Sequence, residues 1–199
     1  MAHVCPWWLG YFLIIPLRRW RQDPRKTLAP YVHEGMTLLE PGPGMGFFTL
    51  ELARLAGESG RIMAVDIQSK MLEKLQRRAE KRGLRDRIEM RVAHADSMGL
   101  ADRKGTFDFA LAFAMVHELP SVALFFCETD EALRPGALLL LAEPRGHVKT
   151  AQFEAELQAA AAVGFTVVER PAISGSHAAL LRICGKPRAN ARADAAAWG

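Results

Sequence analysis

Residues 36–46 read MTLLEPGPGMG, and this stretch decides the fold class of the chain. A compact apolar strand ends in the acid Glu40, and glycines follow at positions 42, 44 and 46 before a segment with helical spacing. Glycines in such a turn let the backbone approach a ligand closely, and the N-terminus of the next helix presents free N–H groups to it. The stretch therefore predicts a ligand site between a strand and a helix of an α/β domain.

The spacing of these glycines separates the turn from two common nucleotide-binding motifs. A dinucleotide fingerprint, G-x-G-x-x-G counted from Gly42, requires glycine at position 47, where the sequence has Phe47. The P-loop pattern G-x-x-x-x-G-K-[ST] occurs nowhere in the chain. The turn is therefore not predicted to bind NAD or a nucleoside triphosphate in either of these ways.

Along residues 36–184, short apolar runs typical of strands alternate with segments that have helical spacing. The predicted strands are residues 36–40, 61–67, 88–96, 107–113, 137–144, 165–171 and 178–184. The predicted helices follow the first, second, fourth and fifth strands. Ser69 and Thr150 are predicted caps, Gly83 and Gly164 are predicted terminators, and the helix over 121–133 is stopped by Arg134-Pro135-Gly136. This alternation predicts a largely parallel sheet with helices on both faces.

Length and cysteine usage indicate one domain in a reducing compartment. A chain of 199 residues forms one ordinary domain, and Cys5, Cys127 and Cys184 lack the spacing of a metal site or a disulfide framework. The longest apolar run, residues 4–17, is too short to span a bilayer, and its positive charges follow it instead of preceding it as in a secretory signal. A cytoplasmic location is predicted.

The net charge of +4 is concentrated in one short segment. Residues 18–26 hold five basic groups and one acid, which leaves 21 basic and 21 acidic residues in the rest of the chain. Nucleic-acid-binding proteins usually carry a broad basic face. The distribution therefore disfavours RNA or DNA as a partner.

The ordered motifs resemble those of class I S-adenosylmethionine-dependent methyltransferases. The first is the strand followed by E-x-G-x-G-x-G; Asp66 at the end of strand two and Asp96 in an Ala-Asp-Ser segment ending strand three come next. Segments 107–119 and 133–144 then resemble the fourth strand with its exit loop and the fifth strand. The resemblance covers roughly residues 30–184. It implies a Rossmann-like sheet of seven strands in the order 3-2-1-4-5-7-6, with the seventh strand antiparallel.

The resemblance also implies S-adenosylmethionine as the cofactor, with S-adenosylhomocysteine as the product, and it assigns roles to individual residues. Glu40 is expected to hold the methionine ammonium, and Asp66 the ribose hydroxyls. The remaining cofactor residues surround the methionine moiety, the adenine and the sulfonium: Gly42, Gly44, Gly46, Ile67, Asp96, Ser97 and the backbone near Phe113.

Catalytic candidates lie in the loops after strands four and five. His117, Glu118, Glu143 and His147 could supply a base where the acceptor must lose a proton. They could equally cap or brace the next helix, and this alternative stays open. His and carboxylate are ordinary metal ligands, but no H-x-x-x-H or cysteine spacing is present, and no metal is predicted.

The segment before the motifs, residues 1–34, is predicted to be a helical cap on the methyltransferase domain of residues 35–184. Trp7, Trp8 and Tyr11 make it a candidate lid over the acceptor, because a large apolar segment must bury against something. Two alternatives remain: an interfacial helix touching a membrane through residues 1–26, and a helix packed on the sheet edge. The alanine- and arginine-rich tail, residues 185–199, is predicted to be disordered.

The predicted acceptor is a small, partly apolar molecule. The loop after strand four lacks the Asn/Asp-Pro-Pro-aromatic signature of amino-group methylases, and no Pro-Cys pair offers the nucleophile of cytosine C5 methylation. The chain loosely resembles quinone-biosynthesis C-methyltransferases. An RNA-modifying enzyme and a non-catalytic S-adenosylmethionine-binding protein remain as alternatives.

Overall fold

Seven strands form one sheet in the order β3-β2-β1-β4-β5-β7-β6, which is the predicted order. The computed structural model describes residues 22–94 and 96–183. Its strands are Thr37–Pro41 (β1), Arg61–Asp66 (β2), Ile88–Val92 (β3), Phe107–Phe113 (β4), Leu133–Pro144 (β5), Phe165–Glu169 (β6) and Ser176–Ile183 (β7). Its α-helices are Pro24–Leu28 (α1), Thr49–Leu55 (α2), Ser69–Glu80 (α3), Val122–Ala132 (α4) and Thr150–Val163 (α5), with 3₁₀ turns at Arg85–Arg87, Ala101–Arg103 and Val116–Glu118.

The sheet direction brings the predicted site residues to one edge. Strands β1 to β5 pair in parallel, and β7 runs antiparallel to both β5 and β6. The strand order reverses between β1 and β4, because β1 connects outward to β2 and β3 while β4 leads to the other half of the sheet. Open α/β sheets bind ligands outside the carboxyl ends of their strands at such a reversal.

Two apolar cores confirm that helices cover both faces of the sheet. Leu38 packs in one cluster with residues of α2 and α3, and its neighbour Leu39 packs in the other with residues of α4 and α5. Successive side chains of a strand point to opposite faces, so β1 contributes to both cores. Leu28 and Val32 join the cluster of Leu38, and residues 24–32 therefore pack as part of the same folded unit.

The third strand is shorter than the sequence pattern predicted. It ends at Val92 instead of continuing to residue 96. The Ala93 N–H still donates to the Asp66 carbonyl, but His94 and Ser97 then exchange backbone hydrogen bonds in a tight turn. Asp96 lies in this turn, beyond the strand whose end it was expected to mark.

The fifth strand is longer than predicted, and the preceding helix is shorter. Helix α4 ends at Ala132, and Leu133, which is almost fully buried, already pairs with Phe107 of β4. The segment Arg134-Pro135-Gly136 is therefore an irregular, exposed part of β5, where the pairing shifts register. Gly136 has φ of +80°, a conformation that favours glycine and accommodates this shift.

Two predicted helix caps are also corrected. Ser69 and Thr150 are the first helical residues of α3 and α5, and the cap positions belong to Gln68 and Lys149, neither of which makes a side-chain capping bond. The prediction for Gly164 is confirmed, because it ends α5 in a left-handed conformation with φ of +114°. Trp7, Trp8 and Tyr11 of the predicted lid, and the predicted tail, lie outside the described residues.

Candidate active site

A cavity of about 330 Å³ opens at the carboxyl ends of β1, β2 and β4, beside the reversal of strand order. The following predicted site residues line it: Gly42, Gly44, Asp66, Ile67, Asp96, Ser97 and Glu118. Glu40, Gly46, Phe113, His117 and His147 lie outside the lining. The structure therefore brings most of the predicted cofactor residues to one cavity, whereas three of the four catalytic candidates, His117, Glu143 and His147, lie outside its lining.

The three glycines after β1 have different roles. All three have positive φ, but a Cβ on Gly44 would meet nothing within 4 Å, whereas a Cβ on Gly42 would come within 3.0 Å of the Met115 side chain. A Cβ on Gly46 would lie 2.3 Å from the buried Leu75 of α3. Gly42 and Gly44 therefore keep backbone accessible at the cavity, while Gly46 permits close packing of the helix.

Asp66 ends β2 with its carboxylate at the cavity. Its Oδ1 accepts a hydrogen bond from the Gln68 N–H at 2.9 Å, and the Gly44 N–H also helps to hold it. Burial raises the pKa of Asp66 to about 6, in spite of these two backbone donors. Next to it, Ile67 leaves 45% of its surface exposed at the cavity. A carboxylate beside an open apolar side chain suits a sugar diol attached to an aromatic base.

The turn carrying Asp96 is held by a residue that the sequence interpretation missed. Glu128 of α4 accepts the Ser97 hydroxyl at 2.6 Å and the Met98 N–H at 2.7 Å, and it also lines the cavity. The hydroxyl of Ser97 is thus engaged with Glu128. The available signal was helical spacing, because Ser121, Leu124 and Glu128 fall on one face of α4 and all line the cavity.

Glu40 lies directly behind the glycine turn, only 3% exposed. Among the described residues, its Oε2 atom has no hydrogen-bond partner. Burial raises the pKa of Glu40 to about 8; Thr49 opposes this increase, and the charge of Asp66 adds to it. A buried carboxylate oxygen without a partner is costly, and a bound ammonium group would satisfy it.

The backbone that borders the cavity at the end of β4 lies one to two residues after the predicted Phe113. Phe113 packs against Phe48, with ring centroids 4.3 Å apart, and does not line the cavity. The next residues, Ala114 and Met115, do line it, and Ala114 has φ of +57°. Positive φ is strained for alanine, and here it marks the sharp exit of the chain from β4 into the site.

A second group of polar side chains connects the loops after β4 and β5. The fully buried Glu143 accepts the Val116 N–H at 2.7 Å, and its other carboxylate oxygen lies 2.5 Å from Nδ1 of His117. This hydrogen bond raises the pKa of His117, with burial opposing it. Nε2 of His117 is 3.9 Å from Glu118, whereas His147 is exposed, with its ring centroid 6.0 Å from that of His117.

The cavity wall is acidic. Its ionisable carboxylates are Asp66, Asp96, Glu118 and Glu128, and no lysine or arginine occurs among the described lining residues. Such a wall attracts cationic ligand groups and repels anionic ones. Within residues 22–94 and 96–183, no group of three or more His, Cys, Asp or Glu residues is arranged to hold a metal ion. Nor does any helix of that region have the length and apolar character needed to cross a bilayer.

These features define a Rossmann-like domain with its ligand cavity at the switch point of the sheet. The chain matches the methyltransferase domain family over residues 32–179 and belongs to that family. This confirms the predicted class, and S-adenosylmethionine is its cofactor.

Individual relatives show how far the similarity extends. The chain is 33% identical over 174 residues to the ubiquinone biosynthesis O-methyltransferase of Methylocella silvestris, covering 87% of this chain and 62% of that protein. It is 28% identical over 127 residues to a ubiquinone/menaquinone biosynthesis C-methyltransferase of Brucella canis, covering 63% and 46%. The chain thus spans about half to three-fifths of the length of these relatives.

A solved structure of similar size shares the fold. The crystal structure of an S-adenosylmethionine-dependent methyltransferase from Aquifex aeolicus superposes with a TM-score of 0.81 at 24% identity, covering 91% of this chain and 100% of that one.

Proposed function

We propose that this protein transfers a methyl group from S-adenosylmethionine to a small, partly apolar acceptor. The observation that carries the proposal is the acidic cavity beside the unpartnered oxygen of Glu40. The cofactor presents two cationic groups, an ammonium and a sulfonium, and the carboxylates among the lining residues suit both. The pyrophosphate of a dinucleotide would instead meet like charges.

In this proposal each cofactor group meets residues that the structure holds in place. Glu40 binds the ammonium, the backbone of Gly42 and Gly44 lies against the methionine moiety, and Asp66 accepts the ribose hydroxyls. Ile67 packs against the adenine, and Asp96 accepts its exocyclic amine. The position of Asp66 and Ile67 at the end of β2 supports these roles.

Methyl transfer requires alignment more than side-chain chemistry. S-adenosylmethionine, when bound, supplies a methyl group already activated by the sulfonium. The protein contributes by holding the acceptor in line with that group, which accounts for most of the catalysis. Ala114, Met115 and Glu118 form the cavity wall at the end of β4, and we place the acceptor beside them.

Two observations support a small acceptor with apolar character. The cavity wall after β4 combines its acids with apolar residues, which include Leu119, Leu124 and Phe125. The curated relatives described above are named for ubiquinone and menaquinone biosynthesis. The absence of lysine and arginine from the described wall argues against a polyanionic acceptor such as RNA.

The lid proposal gains support from the point where the described chain begins. The Gln22 side chain donates to the Ser174 carbonyl at 3.0 Å and to the Ser176 hydroxyl at 3.3 Å. Ser176 pairs with Pro144 at the carboxyl end of β5, on the same edge of the sheet as the cavity. Gln22, the first described residue, therefore lies at the carboxyl edge of the sheet, beside the end of β5 and the start of β7. Peripheral membrane contact through residues 1–26 is the competing proposal, and the cytoplasmic location stays a prediction.

Calorimetry with the full chain tests the proposal. We expect S-adenosylmethionine and S-adenosylhomocysteine to bind and NAD not to bind, because the acidic wall repels a pyrophosphate. Tight binding of NAD without any response to S-adenosylhomocysteine would refute it. A methyl-labelled cofactor incubated with small molecules and, separately, with RNA then identifies the acceptor class, and label in RNA alone would overturn the small-molecule assignment.

A further inference from the structure

Glu143 is a fully buried carboxylate at the end of β5 whose two oxygens both meet groups from the loop after β4. One oxygen accepts the Val116 N–H at 2.7 Å, and the other lies 2.5 Å from Nδ1 of His117. A buried carboxylate is stabilised by such donors and in turn fixes their orientation. Glu143 therefore joins the end of β5 to the loop after β4, which borders the proposed acceptor site.

The contact with Glu143 decides which nitrogen of His117 can accept a proton. A carboxylate accepts a hydrogen bond, so Nδ1 carries the proton in neutral His117 and Nε2 keeps its lone pair. Nε2 lies 3.9 Å from Oε1 of Glu118, and Glu118 lines the cavity. The three side chains thus form a row from the cavity into the protein interior, with the histidine held by the carboxylate behind it.

The surroundings of His117 increase its affinity for a proton. The hydrogen bond to Glu143 raises its pKa, burial opposes this, and the charges of Glu143, Glu118 and Glu156 add to the increase. Glu156, on α5, is 4% exposed, and both of its carboxylate oxygens lack hydrogen-bond partners among the described residues. Burial raises the pKa of Glu156 to about 7. The ring of His147 completes the surroundings at 6.0 Å between centroids.

We infer that Glu143 is a positioning residue that, through His117, prepares Glu118 to remove a hydroxyl proton from the acceptor. The inference rests on the proposed function and specifies the acceptor as a phenol or an enol. The acceptor O–H bond breaks, its electron pair stays on oxygen, and the proton bonds to the Glu118 carboxylate. Once the 3.9 Å between Glu118 and Nε2 of His117 shortens to hydrogen-bond distance on acceptor binding, the proton moves to Nε2. Nε2 binds protons more tightly than a carboxylate does, and the Nδ1 proton stays hydrogen-bonded to Glu143.

The informative variant is Glu143→Gln. The glutamine carbonyl can still accept the Val116 N–H, but its amide now donates to Nδ1 of His117. This forces the histidine proton onto Nε2 and removes the lone pair that faces Glu118, as amide replacement does in a Ser-His-Asp triad. Glu156→Gln is the matched control, because the same substitution then removes a buried acid near His117 that makes no hydrogen bond to it.

The test measures histidine titration by nitrogen-detected NMR, S-adenosylhomocysteine binding, and transfer of labelled methyl to the oxygens of catechol and 4-methylcatechol, all with the full chain. Transfer requires neutral His117, so its rate rises as pH increases through the pKa of this histidine. In Glu143→Gln we expect the NMR midpoint of His117 and the acid limb of the rate to move together to lower pH. We also expect transfer to fall about 100-fold or more, with S-adenosylhomocysteine binding unchanged within about twofold.

Glu156→Gln is expected to retain transfer within about threefold. Should Glu143→Gln destabilise the fold, His117→Gln gives a second route, because it removes the proton acceptor itself and transfer should again fall about 100-fold or more with S-adenosylhomocysteine binding unchanged within about twofold. The inference is overturned if Glu143→Gln and Glu156→Gln slow transfer equally while the midpoint of His117 stays fixed. It is also overturned if the wild-type protein binds S-adenosylhomocysteine but methylates neither catechol. Failure to bind S-adenosylhomocysteine would instead refute the proposed function.

Discussion

In the proposed function, the carboxyl edge of this sheet binds the cofactor at β1 and β2 (the cofactor side) and the acceptor beside β4 and β5 (the acceptor side), and each side has a buried glutamate at a strand end. On the cofactor side, Glu40 keeps one carboxylate oxygen without a hydrogen-bond partner among the described residues. On the acceptor side, both oxygens of Glu143 have partners within the protein. Glu40 is thus available for a ligand, whereas Glu143 organises other protein groups.

The two sides also differ in how they are built. The cofactor side uses a strand end and the backbone of one turn, and Asp66 is held by its near neighbour Gln68 and by the Gly44 N–H of that turn. The acceptor side depends on contacts between distant segments, as in the pair formed by His117 and Glu143 and in the bond from Gln22 to Ser174. We therefore expect changes on each side to affect different measurements.

The largest expected effect comes from deleting residues 1–20. If these residues cover the acceptor, the deletion should reduce methyl transfer by about 100-fold or more, because the site loses the segment that excludes water and positions the acceptor. S-adenosylhomocysteine binding should weaken by no more than about threefold, since its residues lie elsewhere, and radiolabel transfer and calorimetry measure the two quantities.

The competing membrane proposal gives the opposite result for the same deletion. A membrane contact predicts that activity on water-soluble acceptors is retained and that only binding to anionic vesicles is lost, with an affinity that decreases as salt increases. Full activity of the truncated protein would therefore refute the proposal that residues 1–20 cover the acceptor.

The next largest effect is expected on the cofactor side, from Asp66→Ala. The variant loses charge-assisted hydrogen bonds to the ribose hydroxyls, each worth about 1.5–3 kcal/mol. We expect S-adenosylhomocysteine affinity to fall at least about tenfold, which corresponds to about 1.4 kcal/mol, with the thermal midpoint of unfolding nearly unchanged. Glu58→Ala is the control, because Glu58 precedes β2 at its opposite end and its side chain is 93% exposed. Equal affinity in both variants would place the ribose elsewhere.

Most of the cofactor side could be predicted from sequence because its determinants are local. The apolar strand, Glu40 and the glycines lie within eleven consecutive positions, residues 36–46, and Asp66 follows at the end of the next predicted strand. Asp96 lines the cavity as expected, although the pattern extended β3 too far. Apolar residues continue at positions 93 and 95, beyond Val92, and the hydrogen-bonded turn after Val92 shows where the strand ends.

The acceptor side could not be assembled in this way. His117 and Glu143 were both candidates, but their contact spans 26 positions and exists because β4 and β5 pair in parallel. The contact between Gln22 and Ser174 spans 152 positions. On the cofactor side, the support of the Asp96 turn could not be predicted either, because Glu128 holds that turn through Met98, 30 positions away. Such partners follow from the packing of whole elements, which periodicity alone does not determine.

The smallest expected effect tests the feature that distinguishes the two sides, the unpartnered oxygen of Glu40. Burial raises the pKa of Glu40 to about 8, so at pH 7 this carboxyl is mostly protonated in the free protein. An ammonium ligand requires the ionised form, and binding should therefore release a proton. The ionised fraction grows between pH 7 and 8, and S-adenosylhomocysteine affinity should increase by about fivefold over that interval. The pKa of Asp66, about 6, lies below this window, so that group contributes little.

Calorimetry at pH 7 in buffers of different ionisation enthalpy measures the released proton directly, and Glu40→Gln should bind more weakly at pH 8 with no such release. If the wild-type protein releases no proton and the affinity is independent of pH, Glu40 does not bind the ammonium, and the proposed difference between the two buried glutamates is lost.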